Sequence, residues 1–238
     1  MNINSYMTPR LLAVAELVKN SQTVADIGTD HAYVPVFLVL SGKCEKALAM
    51  DINNGPLLRA EENIKKFSLE SKISSRLSNG LENVSDGEVD TVVIAGMGGI
   101  LINNIIANDK DRLTSVKRFV LQPMTAVEET RKYLSENGFS IENERLAKEG
   151  DKIYTVISAV PGEMKIEKEI YFYIGKALIE NKDKFLPELI DGKIYEYEKA
   201  INSIKNTDNE EALIRAQYFM GLLTDLMELK RECAKWQN

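Results

Sequence analysis

Along the first 160 residues, short runs of β-branched and apolar residues alternate with longer amphipathic or apolar stretches. That alternation specifies a mostly parallel sheet covered by helices. Strands are expected at 23–27, 46–51, 73–77, 91–95 and 119–122. Two further runs, 141–146 and 153–160, follow each other with only Ala147-Lys148-Glu149-Gly150-Asp151 between them. No helix fits there, so a hairpin and an antiparallel last strand are expected. Helices are expected at 11–18, at 57–67 with Pro56 at the start, and at 127–137. Thr125-Ala126-Val127-Glu128 has the form of a capping box for the third, and Gly138 stops it.

After Pro161-Gly162 the strand pattern ends and apolar residues recur at helical spacing on a charged background. Ile190, Ile194, Tyr197, Ile201 and Ile204 form one stripe; Leu213, Ala216, Met220, Leu223 and Met227 form a second. Thr207-Asp208-Asn209-Glu210 between them reads as a turn with a capping box, so the two helices fold back as an antiparallel pair. Pro187 and Gly192 lie inside the first stripe and suggest a break in it. Two units follow, a sheet domain at 1–162 and a helical one at 163–238. Such stripes serve packing alone or a partner, and spacing does not choose between them.

Composition narrows the class. The longest apolar run, 34–40, is far short of the ~20 residues that a membrane span needs, and no signal-peptide pattern opens the chain. A cytoplasmic protein is the expectation. The single histidine, His31, and two distant cysteines, Cys44 and Cys233, give no metal-ligand spacing, so free thiols and no metal are expected. Net charge is −6, divided as −3 up to Val160 and −3 beyond it. Neither half is basic enough to hold nucleic acid by bulk charge, which leaves local patches.

The candidate chemistry lies at the expected strand ends. The first strand runs into Asp26-Ile27-Gly28-Thr29-Asp30-His31-Ala32-Tyr33, with Gly28 at a tight turn and a helix N-terminus following. A nucleotide-like ligand suits that turn. The spacing departs from G-x-G-x-x-G, and the carboxylates of Asp26 and Asp30 would repel a pyrophosphate while favouring a ligand with an amine and a sulfonium. S-adenosylmethionine fits this description better than a nicotinamide dinucleotide. Asp51 ends the second strand 25 positions after Asp26, near the offset at which a carboxylate meets ribose hydroxyls. Asn53 or Asn54 beside it reads equally as a helix cap. Asn79-Gly80 follows the third strand as a turn that either reaches an adenine ring or is a turn only. Ala95-Gly96-Met97-Gly98-Gly99 follows the fourth, beside the point where strand order reverses. Its glycines would let two ligands approach the backbone. Leu121-Gln122-Pro123-Met124 ends the fifth, and its amide either reads a base edge or terminates the strand.

These elements together resemble one family: Asp26-Ile27-Gly28-Thr29-Asp30-His31-Ala32-Tyr33-Val34-Pro35, the Gly96-Met97-Gly98-Gly99 run, Leu121-Gln122-Pro123, and the opening Thr8-Pro9-Arg10-Leu11-Leu12. It is the bacterial tRNA (adenine-N1) methyltransferase family acting on adenine 22, known as TrmK. The resemblance implies a class I Rossmann-like α/β fold, S-adenosyl-L-methionine as methyl donor, tRNA as substrate, and a C-terminal coiled coil. It also implies that Asp26, Gly28 and His31 surround the methionine part of the cofactor, with Asp51 at the ribose, Asn79 and Gly80 near the adenine, and Gly96, Met97 and Gly98 along the transfer crevice.

N1 lies on the Watson–Crick edge of adenine, so the base must be splayed out of the RNA to react. The expected roles are edge reading by Gln122 and the 96–99 backbone, stacking by Tyr33 or His31, and charge stabilisation or proton acceptance by Asp30. Arg10, Lys19, Arg59, Lys117 and Arg118 are candidate phosphate contacts. A small-molecule methyltransferase and a non-catalytic RNA- or protein-binding module are the competing readings, and a monomer is the expected state.

Overall fold

A computed structural model of the protein describes residues 2–110, 114–204 and 209–237. The chain divides into two compact units, Met1–Lys165 and Ile166–Asn238. The first is built on strands β1 (Ser21–Ile27), β2 (Cys44–Asp51), β3 (Ile73–Leu77), β4 (Thr91–Met97), β5 (Arg118–Pro123), β6 (Phe139–Glu149) and β7 (Lys152–Pro161). They form one sheet in the order β3-β2-β1-β4-β5-β7-β6. Pairs β1–β2, β1–β4, β2–β3 and β4–β5 are parallel, and β7 runs antiparallel to both β5 and β6. Strand order therefore reverses between β1 and β4, and a crevice opens at their carboxyl ends.

Helices α1 (Pro9–Leu17), α2 (Tyr33–Leu40) and α3 (Asn54–Lys66) cover one face of the sheet; α4 (Gly99–Asp109) and α5 (Val127–Glu136) cover the other. The strands supply both faces by simple alternation. Val24 of β1 packs with Val14, Val36 and Ile64, while its neighbours Ala25 and Ile27 pack with Ile102, Ile106 and Leu134. Helix α1 starts where the Thr8 side chain accepts from Leu11 N with Pro9 in the first turn. Its carbonyl end is closed by Lys43 Nζ, which donates to Ala15 O, Glu16 O and Val18 O at 2.7, 3.0 and 2.9 Å.

Three expectations change. The β6–β7 ladder continues to the Glu149–Lys152 pair, so only Gly150-Asp151 remains as the turn. Helix α5 has no side-chain cap: Ala126 takes a left-handed conformation at φ 53°, and the Thr125 carbonyl accepts from Gly99 N at 2.9 Å. The stretch 125–128 is spent on holding the glycine run instead of closing a capping box. In the second unit, α8 (Leu186–Ile204) is unbroken despite Pro187 and Gly192. Pro187 sits in its first turn, where the missing N–H has no intrahelical partner to lose.

The second unit also contains α6 (Ile170–Ile174), α7 (Lys176–Glu180) and the long α9 (Glu210–Ala234). Asn209 caps α9 by accepting from Ala212 N, while Thr207 and Asp208 lie outside the described residues. Helices α8 and α9 pack antiparallel. Tyr197 stacks on Phe219 with ring centroids 5.1 Å apart, and Lys230 near the end of α9 pairs with Asp191 near the start of α8 at 2.6 Å.

Helix α5 is pinned to β6 by an ion pair inside the core: Arg131 Nε donates to Glu144 Oε1 at 2.7 Å, each side chain 1% exposed. Burial pushes the Glu144 carboxyl above its ordinary range, and Arg131 opposes that shift. Replacing Arg131 by Met leaves a buried carboxylate alone. A loss of about 3–5 kcal/mol is expected in chemical denaturation, with much of it restored in the Arg131→Met/Glu144→Leu pair.

Candidate active site

The crevice is framed by four loops that leave β1, β2, β4 and β5 at their carboxyl ends. In the first, Gly28 turns at φ 76°, and the N–H groups of Gly28 and Thr29 both donate to Met50 O at 2.8 and 2.9 Å. This fixes the β1 loop onto β2. A Cβ at Gly28 would collide with the Met97 methyl, so the β4 loop lies directly over the turn.

Asp26 is 7% exposed at the base of the loop. Burial pushes its carboxyl up to about 6, the Thr29 side chain opposing and the Asp51 carboxylate adding to the rise. Thr29 Oγ1 is itself buried without a hydrogen-bond partner of good geometry. Asp51 is half-buried, and its Oδ1 already accepts from Asn53 N at 2.8 Å, which leaves Oδ2. The site thus offers a buried carboxyl with no ion-pair partner among the described residues, a buried hydroxyl beside it, a second carboxylate and a glycine turn. These groups fit a ligand with a cationic amine and a vicinal diol.

Asp30 and His31 sit higher, at the mouth. Arg59 grips Asp30 through Nε at 3.0 Å and through Nη2, and His31 Nε2 lies 3.4 Å from Asp30 Oδ2. The His31 carbonyl accepts from Asn63 Nδ2 at 3.1 Å. The rings of His31 and Tyr33 stack at 5.0 Å, and Tyr33 stacks in turn with Tyr6 at 5.1 Å. Tyr33 is the middle member of this run, so the ring at its end, His31, is the better placed of the two to receive a base.

On the other side of the switch point, Gly96 turns at φ 81° where the β4–β5 register shifts. Gln122 lies beneath it, fully buried. Its Oε1 accepts from Gly96 N at 3.1 Å and from Arg10 Nη1 at 2.8 Å; its Nε2 donates to Pro123 O at 3.0 Å and reaches Met124 Sδ at 3.5 Å. The amide has no capacity left for a base edge. Gln122 is thus occupied in shaping the loop. Gly98 and Gly99 open α4, and a Cβ on Gly99 would lie 2.6 Å from Thr130 Oγ1 and 2.8 Å from Thr125 O. That glycine serves backbone packing. Asn79 is exposed and bonded to Glu82 at 2.7 Å, next to Gly80, whose Cβ position would be 3.1 Å from Ile105.

The expected phosphate contacts separate. Lys19, Lys117 and Arg118 stand at the amino ends of β1 and β5, opposite the crevice, and Lys19 and Arg118 are both bonded to Glu142. Arg59 is committed to Asp30, and Arg10 turns inward. One residue at the crevice, Thr29, adjacent to the glycine turn, was not singled out by sequence, and Arg10, expected at a phosphate, instead bonds Gln122 far along the chain. The cysteines Cys44 and Cys233 are free and buried. Among the described residues, no group of three or more His, Cys, Asp or Glu side chains is placed to hold a metal, and no helix is long and apolar enough to cross a membrane.

Comparison with known proteins gives the family. A methyltransferase-domain family model matches residues 7–157. The Bacillus subtilis (strain 168) tRNA (adenine(22)-N(1))-methyltransferase is 40% identical over 157 residues, 66% of this chain and 66% of that protein. The crystal structure of the B. subtilis m1A22 tRNA methyltransferase TrmK superposes with a TM-score of 0.85 at 31% identity, covering 94% of this chain and 98% of that one. The chain belongs to the TrmK family. A further TrmK structure, from M. capricolum in complex with S-adenosyl-homocysteine, has a TM-score of 0.81 at 30% identity over 92% of this chain and 97% of that one. The TrmK likeness thus extends beyond the methyltransferase domain into the helical unit.

Asp26 sets a pH dependence that needs no ligand to observe. Its folded value of about 6 exceeds the ordinary 3.8, so the folded state binds the extra proton and stability falls as pH rises from about 4 to about 6. The ionised carboxylate at pH 8 costs the apo protein up to about 3 kcal/mol. Asp26→Asn is expected to gain about 1–3 kcal/mol at pH 8 and little at pH 4, measured by urea denaturation at both pH values.

Proposed function

We propose that this chain transfers the methyl group of S-adenosylmethionine to N1 of adenine 22 in tRNA. The buried Asp26 carboxyl, with no cation paired to it among the described residues, stands at the switch point of a TrmK-family sheet and carries the reading. When bound, the cofactor supplies an electrophilic methyl group on a sulfonium. In this assignment Asp26 and the Gly28 turn hold the methionyl amine, Asp51 accepts from the ribose hydroxyls through Oδ2, and Asn79-Gly80 flanks the adenine. His31 lies beside the methionyl end. Gly96, Met97 and Gly98 line the path between the two ligands.

The N1 lone pair of neutral adenine is the nucleophile, so the residues contribute mainly by alignment, worth as much as ~7–11 kcal/mol over a bimolecular encounter. His31 stacks on the splayed base, supported from behind by Tyr33 and Tyr6. Gln122 keeps Gly96 in place. Methylation at N1 leaves the ring cationic, and Asp30 at the mouth offsets that charge while Arg59 fixes its position. The helical unit, residues 163–238, braces the tRNA, and the protein works as a cytoplasmic monomer.

Incubation with labelled S-adenosylmethionine and two tRNAs, one with adenine and one with guanine at position 22, tests the proposal. Label is expected in 1-methyladenosine from the first tRNA alone. Label in another nucleoside, or in neither tRNA, overturns it.

A further inference from the structure

The methionyl end of the cofactor proposed above is a zwitterion, and the crevice described so far answers only its amine. Asp26, Asp30 and Asp51 are all acidic. A carboxylate entering beside them loses water and meets like charge, which is costly unless a cation with directed donors receives it. Of the basic residues considered for the crevice, Arg59 is spent on Asp30, and Lys19, Lys117 and Arg118 stand at the opposite end of the strands.

Arg10 is different. Its backbone N–H donates to Glu149 Oε1 at 2.8 Å, its guanidinium lies over the Tyr154 ring at 5.7 Å, and Nη1 donates to Gln122 Oε1 at 2.8 Å. The same Nη1 is 3.7 Å from the point where a Cβ on Gly96 would stand. The group is half-buried, and among the described residues its Nε and Nη2 donate no hydrogen bond. Those two nitrogens form the side-on edge of the guanidinium, the edge with which Arg59 grips Asp30. That edge presents two parallel donors at carboxylate spacing.

Resting on the proposed cofactor, we infer that Arg10 receives the methionyl carboxylate through Nε and Nη2 while Nη1 holds Gln122 and Gly96. One guanidinium then links cofactor binding to the shape of the loop facing the substrate. The β6–β7 hairpin, through Glu149 and Tyr154, keeps it preorganised, so little side-chain entropy is lost on binding.

Calorimetry with S-adenosylhomocysteine and with its decarboxylated analogue, which keeps the amine, tests this. The wild type is expected to bind the full ligand about 10–100-fold more tightly than the analogue. Arg10→Met closes that gap by weakening the full ligand alone. Arg10→Lys, which keeps the charge but not the fork, loses several-fold on the full ligand with the analogue unchanged, and it carries the test should the Met variant not fold. Equal weakening of both ligands in either variant overturns the carboxylate contact and leaves Arg10 as a support for Gln122 alone. Failure of the wild type to bind either ligand overturns the cofactor reading instead.

Discussion

The side-chain amide of Gln122 joins three segments that are remote in sequence, and the carboxyl edge of the sheet is arranged around it. Its oxygen takes one N–H from Gly96 on β4 and another from Arg10 on α1, while its nitrogen closes on Pro123 O and Met124 Sδ. A buried amide with all its positions filled is rigid, whereas one left half-satisfied is costly. The Gly96 turn, the entry of α1 and the direction of the β5–α5 loop are therefore set together. The glycine run completes the arrangement from the other side, where Gly99 approaches the Thr125 carbonyl too closely for any side chain.

Against this stiff wall stands an acidic one. Asp26 is buried where ionisation is unfavourable, and Asp51 makes it more so. A fold gains nothing from such a carboxyl by itself. Its placement is intelligible as stability given up for a ligand that brings the missing positive charge, and the buried Thr29 hydroxyl beside it lacks a well-formed hydrogen bond. At the mouth the logic reverses: Asp30 is exposed and already matched by Arg59.

Much of the fold was legible because its signals are local. Runs such as Val92-Val93-Ile94 mark central strands, glycine turns mark their ends, and the spacing of Asp26 and Asp51 places both at one sheet edge. What sequence hid depends on partners far away. Gln122 looks like a free amide at a strand end until Arg10, 112 positions earlier, is brought beside it. The stretch 125–128 has the letters of a capping box, but the demand of Gly99 N for an acceptor outweighs that local preference. Lys117-Arg118 reads as a basic patch, yet it begins β5 and so faces away from the crevice. Tyr33 and His31 were equivalent as candidate stacking rings, and only the position of Tyr6 separates them.

The long helices of the second unit are built to a looser standard. Gly192 in α8 and Gly221 in α9 occupy helical positions where an added methyl group would touch nothing. Neither is required by packing, and each leaves its helix about 0.5–1 kcal/mol weaker than alanine would. Amide protons around these glycines should exchange with solvent before those of β1 and β4, so each glycine marks a place where its helix opens locally at low cost.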